Sequence, residues 1–381
     1  MKITRRLFGA GLLGLGLTAC GGPGLRSTAS GASAGLPADL RPVPNAAYDA
    51  WVDGFRLRAA ERGITPATLN AAFRGAGFLP GVVTRDRNQT EFTRSLEDYL
   101  AIAASDERVS KGRAAFARHR GTLLALQDRY GVDAEIVAAI WGLESFFGER
   151  RGDVPVISST STLAFDGRRG AFFEKQLMAA LRILQNGDVR ASEMTGSWAG
   201  AMGHTQFIPT SYLQFAVDFT KDGRRDVWSD DPTDALASTA AYLQRNGWVQ
   251  GLRWGQEVTG ADASGSVIQP QAGGPRFAVT GNFRAIKRYN NSDAYALGVG
   301  HLADRIGGAG PLQGSFPPDA NGLTKADRIT LQKRLTALGF DTKGVDGVFG
   351  PNTLSAIRAY QISRGLPPTG TPSLALLQSL S

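Results

Sequence analysis

One cysteine, Cys20, stands among 381 residues, so the chain cannot form an internal disulfide. Histidine is nearly as scarce, with three residues, which leaves little for a transition-metal centre. Dense lysine and arginine runs are missing, which argues against nucleic-acid binding despite a formal net charge of +8. Lys2, Arg5 and Arg6 supply three of those charges, so the rest of the chain carries +5 (8 less 3). That modest excess suits an anionic polymer or surface. The apolar run Leu7 to Ala19 is too short to span a bilayer as a stable helix. Glycine is plentiful at 48 residues, which implies many turns and close backbone approaches. Hydrophobic residues make up 42%, enough for a substantial core, and the length allows one large domain plus a small one.

The most informative stretch is Ile136-Val-Ala-Ala-Ile-Trp-Gly-Leu-Glu-Ser-Phe-Phe-Gly148. Ile136, Ile140 and Glu144 fall at i, i+4 and i+8, on one stripe of a helix. A carboxyl on an interior stripe has its charged form disfavoured, and one still protonated near neutral pH can give its proton to a leaving oxygen. Read from this run alone, Glu144 is equally a glutamate at the rim of a buried helix, reaching water.

The N-terminus combines a charged start, a short apolar run and Leu17-Thr18-Ala19-Cys20. It resembles a bacterial lipoprotein signal, in which the cysteine is acylated and becomes the new N-terminus. The alternative is an ordinary secretory peptide. Thr4 to Phe8 partly resembles a twin-arginine signal. Gly21, rather than aspartate, follows the cysteine, which favours outer-membrane sorting. The implied location is the bacterial periplasm, with the chain held to the membrane by an N-terminal lipid anchor.

Residues 1–20 therefore read as a signal with its lipobox, and the Gly/Ser/Ala/Pro-rich 21–44 as a flexible tether. Helical patterns follow over Ala50–Arg62, from Thr65-Pro66, and over Asn88–Ala104, Asp106–Tyr130 and Asp133–Phe147. They continue over Phe172–Gln185, Pro232–Asn246 and Ser292–Ile306. Val258–Phe283 has a poorer helical pattern and reads as short strands or loops. Gly307–Asn321 is Gly/Pro-rich, and a compact unit follows with helical segments Lys325–Leu338 and Thr353–Arg364. The turn-rich Gly344–Thr353 lies between those two.

Leu331-Gln332, Leu335, Leu338-Gly339, Asp346-Gly347, Phe349-Gly350, Thr353, Tyr360-Gln361 and Gly365-Leu366 resemble the peptidoglycan-binding module of bacterial wall enzymes. The remaining body resembles the membrane-bound lytic murein transglycosylase B family (glycoside hydrolase family 103). Four blocks carry that likeness: Trp141–Gly148, Ser161–Asp166 with Arg168-Arg169, Ser197–Tyr212, and Tyr289–Gly298. The resemblance implies a mainly α chain, with a lysozyme-like helical catalytic domain over 45–310 and a linker over 311–321. A small three-helix peptidoglycan-binding domain would occupy 322–381.

It implies Glu144 as the catalytic residue, acting first as acid and then as base on the MurNAc-GlcNAc bond. Ser197 and Gln206 would bond the glycan or the catalytic carboxyl, Tyr289, Asn290 and Tyr295 would line the cleft, and Tyr99 would do likewise. Arg168 and Arg169 would meet lactyl or peptide carboxylates, or form a solvated basic turn. His204 departs from the Gly-Tyr-Gly-Gln of many relatives and is not assigned a catalytic part. Glycosidic hydrolysis usually takes two carboxylates, and the other blocks offer no second one in a comparable setting. The alternatives are a muramidase-type hydrolase of the same bond and an inactive murein-binding scaffold. No cofactor is required by this chemistry. Asp218, Thr220 and Asp222, with Gly223 at position six, resemble the start of an EF-hand loop, and Asp234 corresponds to a further calcium ligand of some relatives. Position twelve is Ser229 instead of glutamate, so a polar turn braced by Lys221, Arg224 and Arg225 is the alternative. Expected partners are peptidoglycan strands, with proteins of wall synthesis or division as candidates.

Overall fold

The computed structural model describes residues 35–88, 95–258 and 266–380, so Cys20 and its lipobox lie outside the described residues. In chain order the helices begin with α1 (Ala46–Glu61), α2 (Pro66–Phe73), α3 (Pro80–Arg87) and α4 (Leu96–Ala103). Next come α5 (Asp106–Arg118), α6 (Arg120–Tyr130), α7 (Ala134–Ser145), α8 (Val156–Asp166), α9 (Gly170–Asn186), α10 (Pro209–Phe215) and α11 (Thr233–Arg245). The last are α12 (Gly281–Tyr289), α13 (Asp293–Ile306), α14 (Lys325–Ala337), α15 (Pro351–Ser363) and α16 (Leu374–Ser379). No helix among the described residues is long and apolar enough to cross a membrane.

The contacts fall into two units. Among the described residues, the first takes 35–88, 110–251 and 288–291; the second takes 95–109, 252–258, 266–287 and 292–380. In the first unit α7 packs against α6 and α11. Its residues from Ala134 through Gly142 are buried save Glu135, as an apolar run on all sides requires. Beside it α8 packs on α9. The hydroxyls of Ser158–Thr162 are all buried. They are not orphaned: Thr160 Oγ1 donates to Val156 O at 2.6 Å, Ser161 Oγ to Ile157 O at 2.6 Å, and Thr162 Oγ1 accepts from Leu79 N at 3.1 Å. Leu79, Val82, Leu163 and Phe173 close an apolar cluster around them.

In the second unit α4 packs on α13. Strands β1 (Val154–Pro155) and β2 (Thr195–Gly196) pair antiparallel in the first unit; in the second, the weakly patterned stretch before α12 forms an antiparallel sheet, with β3 (Gly255–Val258) and β4 (Ser266–Ile268) flanking β5 (Arg276–Val279). The indole of Trp254 lies so close to Gly300 on α13 that a Cβ there would sit 2.3 Å from it. The last three helices close a small core of Leu331, Leu335, Ile357, Tyr360, Leu376 and Leu377.

One expected helix needs correction, and four helices were not foreseen. The single helix expected over Asp106–Tyr130 is two, α5 and α6, because His119 leaves helical geometry at φ −106°, ψ 19°. Helices α3, α8, α10 and α12 were not legible: α8 is rich in serine and threonine, and α3 and α10 are short and open on proline.

Candidate active site

Glu144 is half-buried in the last turn of α7. The turn ends abruptly. Phe146, Phe147 and Gly148 take φ of 54°, 59° and 90° in succession, a run of left-handed backbone that costs free energy at the two phenylalanines. The reversal folds Phe147 back over Gly142, where a Cβ would stand 2.4 Å from the ring. Ser145, adjacent to the carboxylate, is buried, and its Oγ donates to His204 O at 2.5 Å while accepting from Gly148 N at 2.9 Å.

His204 sits beneath this turn. Its Nδ1 accepts from Trp141 Nε1 at 3.1 Å, and its Nε2 lies 2.8 Å from Ser229 O. These partners select the neutral ring with the proton on Nε2. Burial drives the His204 pKa down, with the Arg151 charge adding to it and the Ser229 bond opposing it. Arg151 in turn donates to Trp228 O at 2.9 Å and Ser229 O at 2.6 Å. The structural duty of His204 was missed by sequence reasoning, because its partners are 25 and 63 residues away.

The block around His204 is a pair of tight turns. Ser197 Oγ accepts from Ala201 N at 3.1 Å, and Met202 and Phe207 exchange backbone bonds. Gly203, at φ 70°, leaves no room for a side chain, since a Cβ would lie 2.0 Å from Val227 O. Gln206 holds φ 54° and donates both amide hydrogens to backbone carbonyls, Arg151 O and Gly203 O, each at 2.9 Å.

Tyr289 donates to Thr205 O at 2.6 Å and packs edge-on against Tyr242, centroids 4.9 Å apart. Burial raises its pKa well above the ordinary phenol, and the nearby negative charge of Glu144 adds to the rise. Tyr289 therefore stays a neutral phenol beside that carboxylate. Asn290 follows it, half-buried in the turn before α13.

Of the other expected residues, Arg168 is committed to the buried Asp86 through a two-pronged ion pair. Arg169 stacks over Phe172 at 4.5 Å. Tyr99 lies on α4 and the buried Tyr295 on α13, both in the second unit. Asp218, Asp222 and Asp234 bring carboxylate oxygens within 4.8 Å of one another. Burial raises the Asp234 pKa although backbone N–H groups of Thr220, Asp226 and Phe219 bond it. Thr220 adds a hydroxyl, which donates to Asp218 at 3.3 Å. An all-oxygen set of this kind fits a hard divalent cation.

The Transglycosylase SLT domain family matches residues 47–267 and 259–304, and a peptidoglycan binding domain family matches residues 324–380. The membrane-bound lytic murein transglycosylase B of Escherichia coli (strain K12) is 31% identical over 233 residues, covering 52% of this chain and 64% of that protein. This chain thus spans less than two thirds of that relative's length. The crystal structure of SltB3 from Pseudomonas aeruginosa in complex with NAG-anhNAM-pentapeptide superposes with a TM-score of 0.69 at 45% identity, covering 88% of this chain and 100% of that one. The Escherichia coli lytic transglycosylase Slt35, in complex with calcium, gives a TM-score of 0.59 at 26% identity, over 69% of this chain and 93% of that one. With its helical body and small C-terminal core matched in turn, the chain belongs to the SLT-domain lytic transglycosylase family and carries a peptidoglycan-binding domain behind that body.

Proposed function

We propose that this chain is a lytic murein transglycosylase, with Glu144 as its acid and base. The observation that carries this reading is one carboxylate, half-buried at the end of an apolar helix, next in chain to the Ser145 that bonds His204 O, and near enough for its charge to raise the pKa of Tyr289. Glu144 protonates the oxygen between MurNAc and GlcNAc as the C1–O bond breaks. The C6 hydroxyl of the same MurNAc then attacks C1 and returns its proton to Glu144. The product is a 1,6-anhydro end, and no water is consumed. Attack within one sugar ring gains the advantage of an intramolecular reaction. A related structure bound to NAG-anhNAM-pentapeptide supports this outcome.

Ser197 and Gln206 shape the wall of the site, with Ser197 Oγ and the Gln206 carbonyl oxygen toward the glycan. Tyr289, Asn290, Tyr99 and Tyr295 supply sugar contacts. Arg169 is the better of the two arginines for a peptide carboxylate, since Asp86 holds Arg168. Domain assignments follow the sequence: catalytic body 45–310, connector 311–321, wall-binding module 322–381. Cys20 carries the lipid that holds the enzyme in the periplasm at the outer membrane.

Glu144→Gln should lower anhydro-product release about a thousandfold or more, while sedimentation with murein is unchanged. Mass spectrometry of digested murein reads the result. Wild-type turnover in that variant, or reducing ends gained with water by the native enzyme, would overturn the assignment.

Asp218, Asp222 and Asp234, with the Thr220 hydroxyl, form a calcium site on this reading, which the calcium complex of Slt35 supports. Calcium should raise the melting temperature by a few degrees, and Asp222→Asn should remove that response. An equal response to calcium in Asp222→Asn would argue against the site.

A further inference from the structure

Arg328 is out of place by pattern. On α14 it falls at i−3 and i−7 from Leu331 and Leu335, the stripe that closes the core of the C-terminal module. A hydrophobic residue would satisfy that stripe. Arg328 is instead buried, its side chain 4% exposed. Burying a guanidinium is costly unless it is paired and hydrogen-bonded.

Its pairing is full. Nε donates to Gly347 O at 2.6 Å and Nη1 to Leu323 O at 3.3 Å, both within the module. Nη2 leaves the module and donates to Glu97 Oε2 at 2.5 Å and Asp98 Oδ1 at 3.1 Å. Those two acids occupy the first turn of α4, whose next residue is Tyr99. Asp319 of the connector stands 3.6 Å from Nη1. The connector is itself fastened. Glu257 on β3 accepts from Gln313 N and Gly314 N, each at 2.7 Å, and Phe316 lies against Gly274.

We infer that Arg328 is a positioning residue: it fixes α4, and with it Tyr99, so that the wall-binding module forms part of the glycan-contacting framework. A module serving only as a tether would gain nothing from a buried cation aimed at the catalytic body. The inference rests on the reading of Tyr99 as a glycan contact.

The test is steady-state kinetics of the full chain on soluble glycan fragments, which need no retention on a wall. Arg328→Ala should raise KM about tenfold with kcat within about twofold. Arg328→Lys, which keeps the charge without the fork, should recover part of that loss. The double variant Glu97→Gln/Asp98→Asn breaks the clasp from the catalytic side and leaves the Gly347 and Leu323 bonds intact. It should reproduce the KM change in protein still folded at the assay temperature, because Asp319 and the Gly347 and Leu323 carbonyls still partner the guanidinium, so a failure of Arg328→Ala to fold does not spoil the test. Combining Glu97→Gln/Asp98→Asn with Tyr99→Ala should add little to the KM of Tyr99→Ala alone, because both act through one contact. A general loss of stability would instead add. Additive effects, an unchanged KM or a loss confined to kcat would each overturn the inference. If the wild-type chain releases no anhydro-sugar, the functional reading fails; if it is active and Glu97→Gln/Asp98→Asn leaves KM unmoved, this inference alone fails.

Discussion

Glu144 and His204 stand on the two sides of the turn that ends α7. The negative charge of Glu144 raises the pKa of the phenol of Tyr289, while His204 braces the turn after α7 twice, its main-chain carbonyl accepting from Ser145 Oγ and its imidazole from the Trp141 indole N–H. His204→Phe should therefore strand the Trp141 N–H and the Ser229 carbonyl. The expected result is a kcat about tenfold lower with KM within about twofold, and a stability loss of about 2 kcal/mol. Kinetics and urea denaturation of the variant check both; a full kcat with the bonds gone would show that His204 does not hold the turn. At this scale the sequence was only partly legible. Glu144 stood out because its apolar neighbours surround it in the chain. Arg168 did not reveal its partner, since Asp86 lies 82 residues away.

Among the elements, α7 depends on how it ends. Alanine ordinarily favours a helix over glycine by about 1 kcal/mol. At position 142 the added Cβ would meet the Phe147 ring at 2.4 Å. Gly142→Ala should thus be destabilising by about 1–3 kcal/mol, against the propensity scale, as thermal denaturation would record; a more stable variant would refute this packing argument. The long amphipathic patterns named α1, α9, α11 and α13 to within a few residues. Helix α8 escaped notice because its five consecutive hydroxyl residues look polar, yet each hydroxyl is buried and bonded. Periodicity cannot distinguish a polar helix facing water from one whose hydroxyls are satisfied by backbone.

For the whole molecule, the three histidines point one way. Burial lowers the pKa of His119, His204 and His301, the last to about 4. Each folded value lies below that of the unfolded chain, near 6.5. The unfolded state then binds protons more readily, so this stability is fully present above about pH 6.5 and is lost as pH falls toward 4. His301 alone accounts for about 3 kcal/mol at neutral pH on the full shift. Melting temperature should fall from pH 7 to pH 4.5, and His301→Gln should flatten that slope. A variant as acid-sensitive as the native chain would remove His301 from the account.

By itself the sequence determined the helical class and the order of body and wall-binding module, and it singled out Glu144 as the carboxylate proposed to bear the chemistry. Those rest on patterns a few residues long, in which neighbours in the chain are neighbours in space. Only the tertiary structure decided that His204 braces the turn that ends α7 and that Arg328 clasps α4 across 231 residues of chain. A buried charge or ring declares its role through the partners that desolvation forces it to find, and those partners are brought together by folding alone.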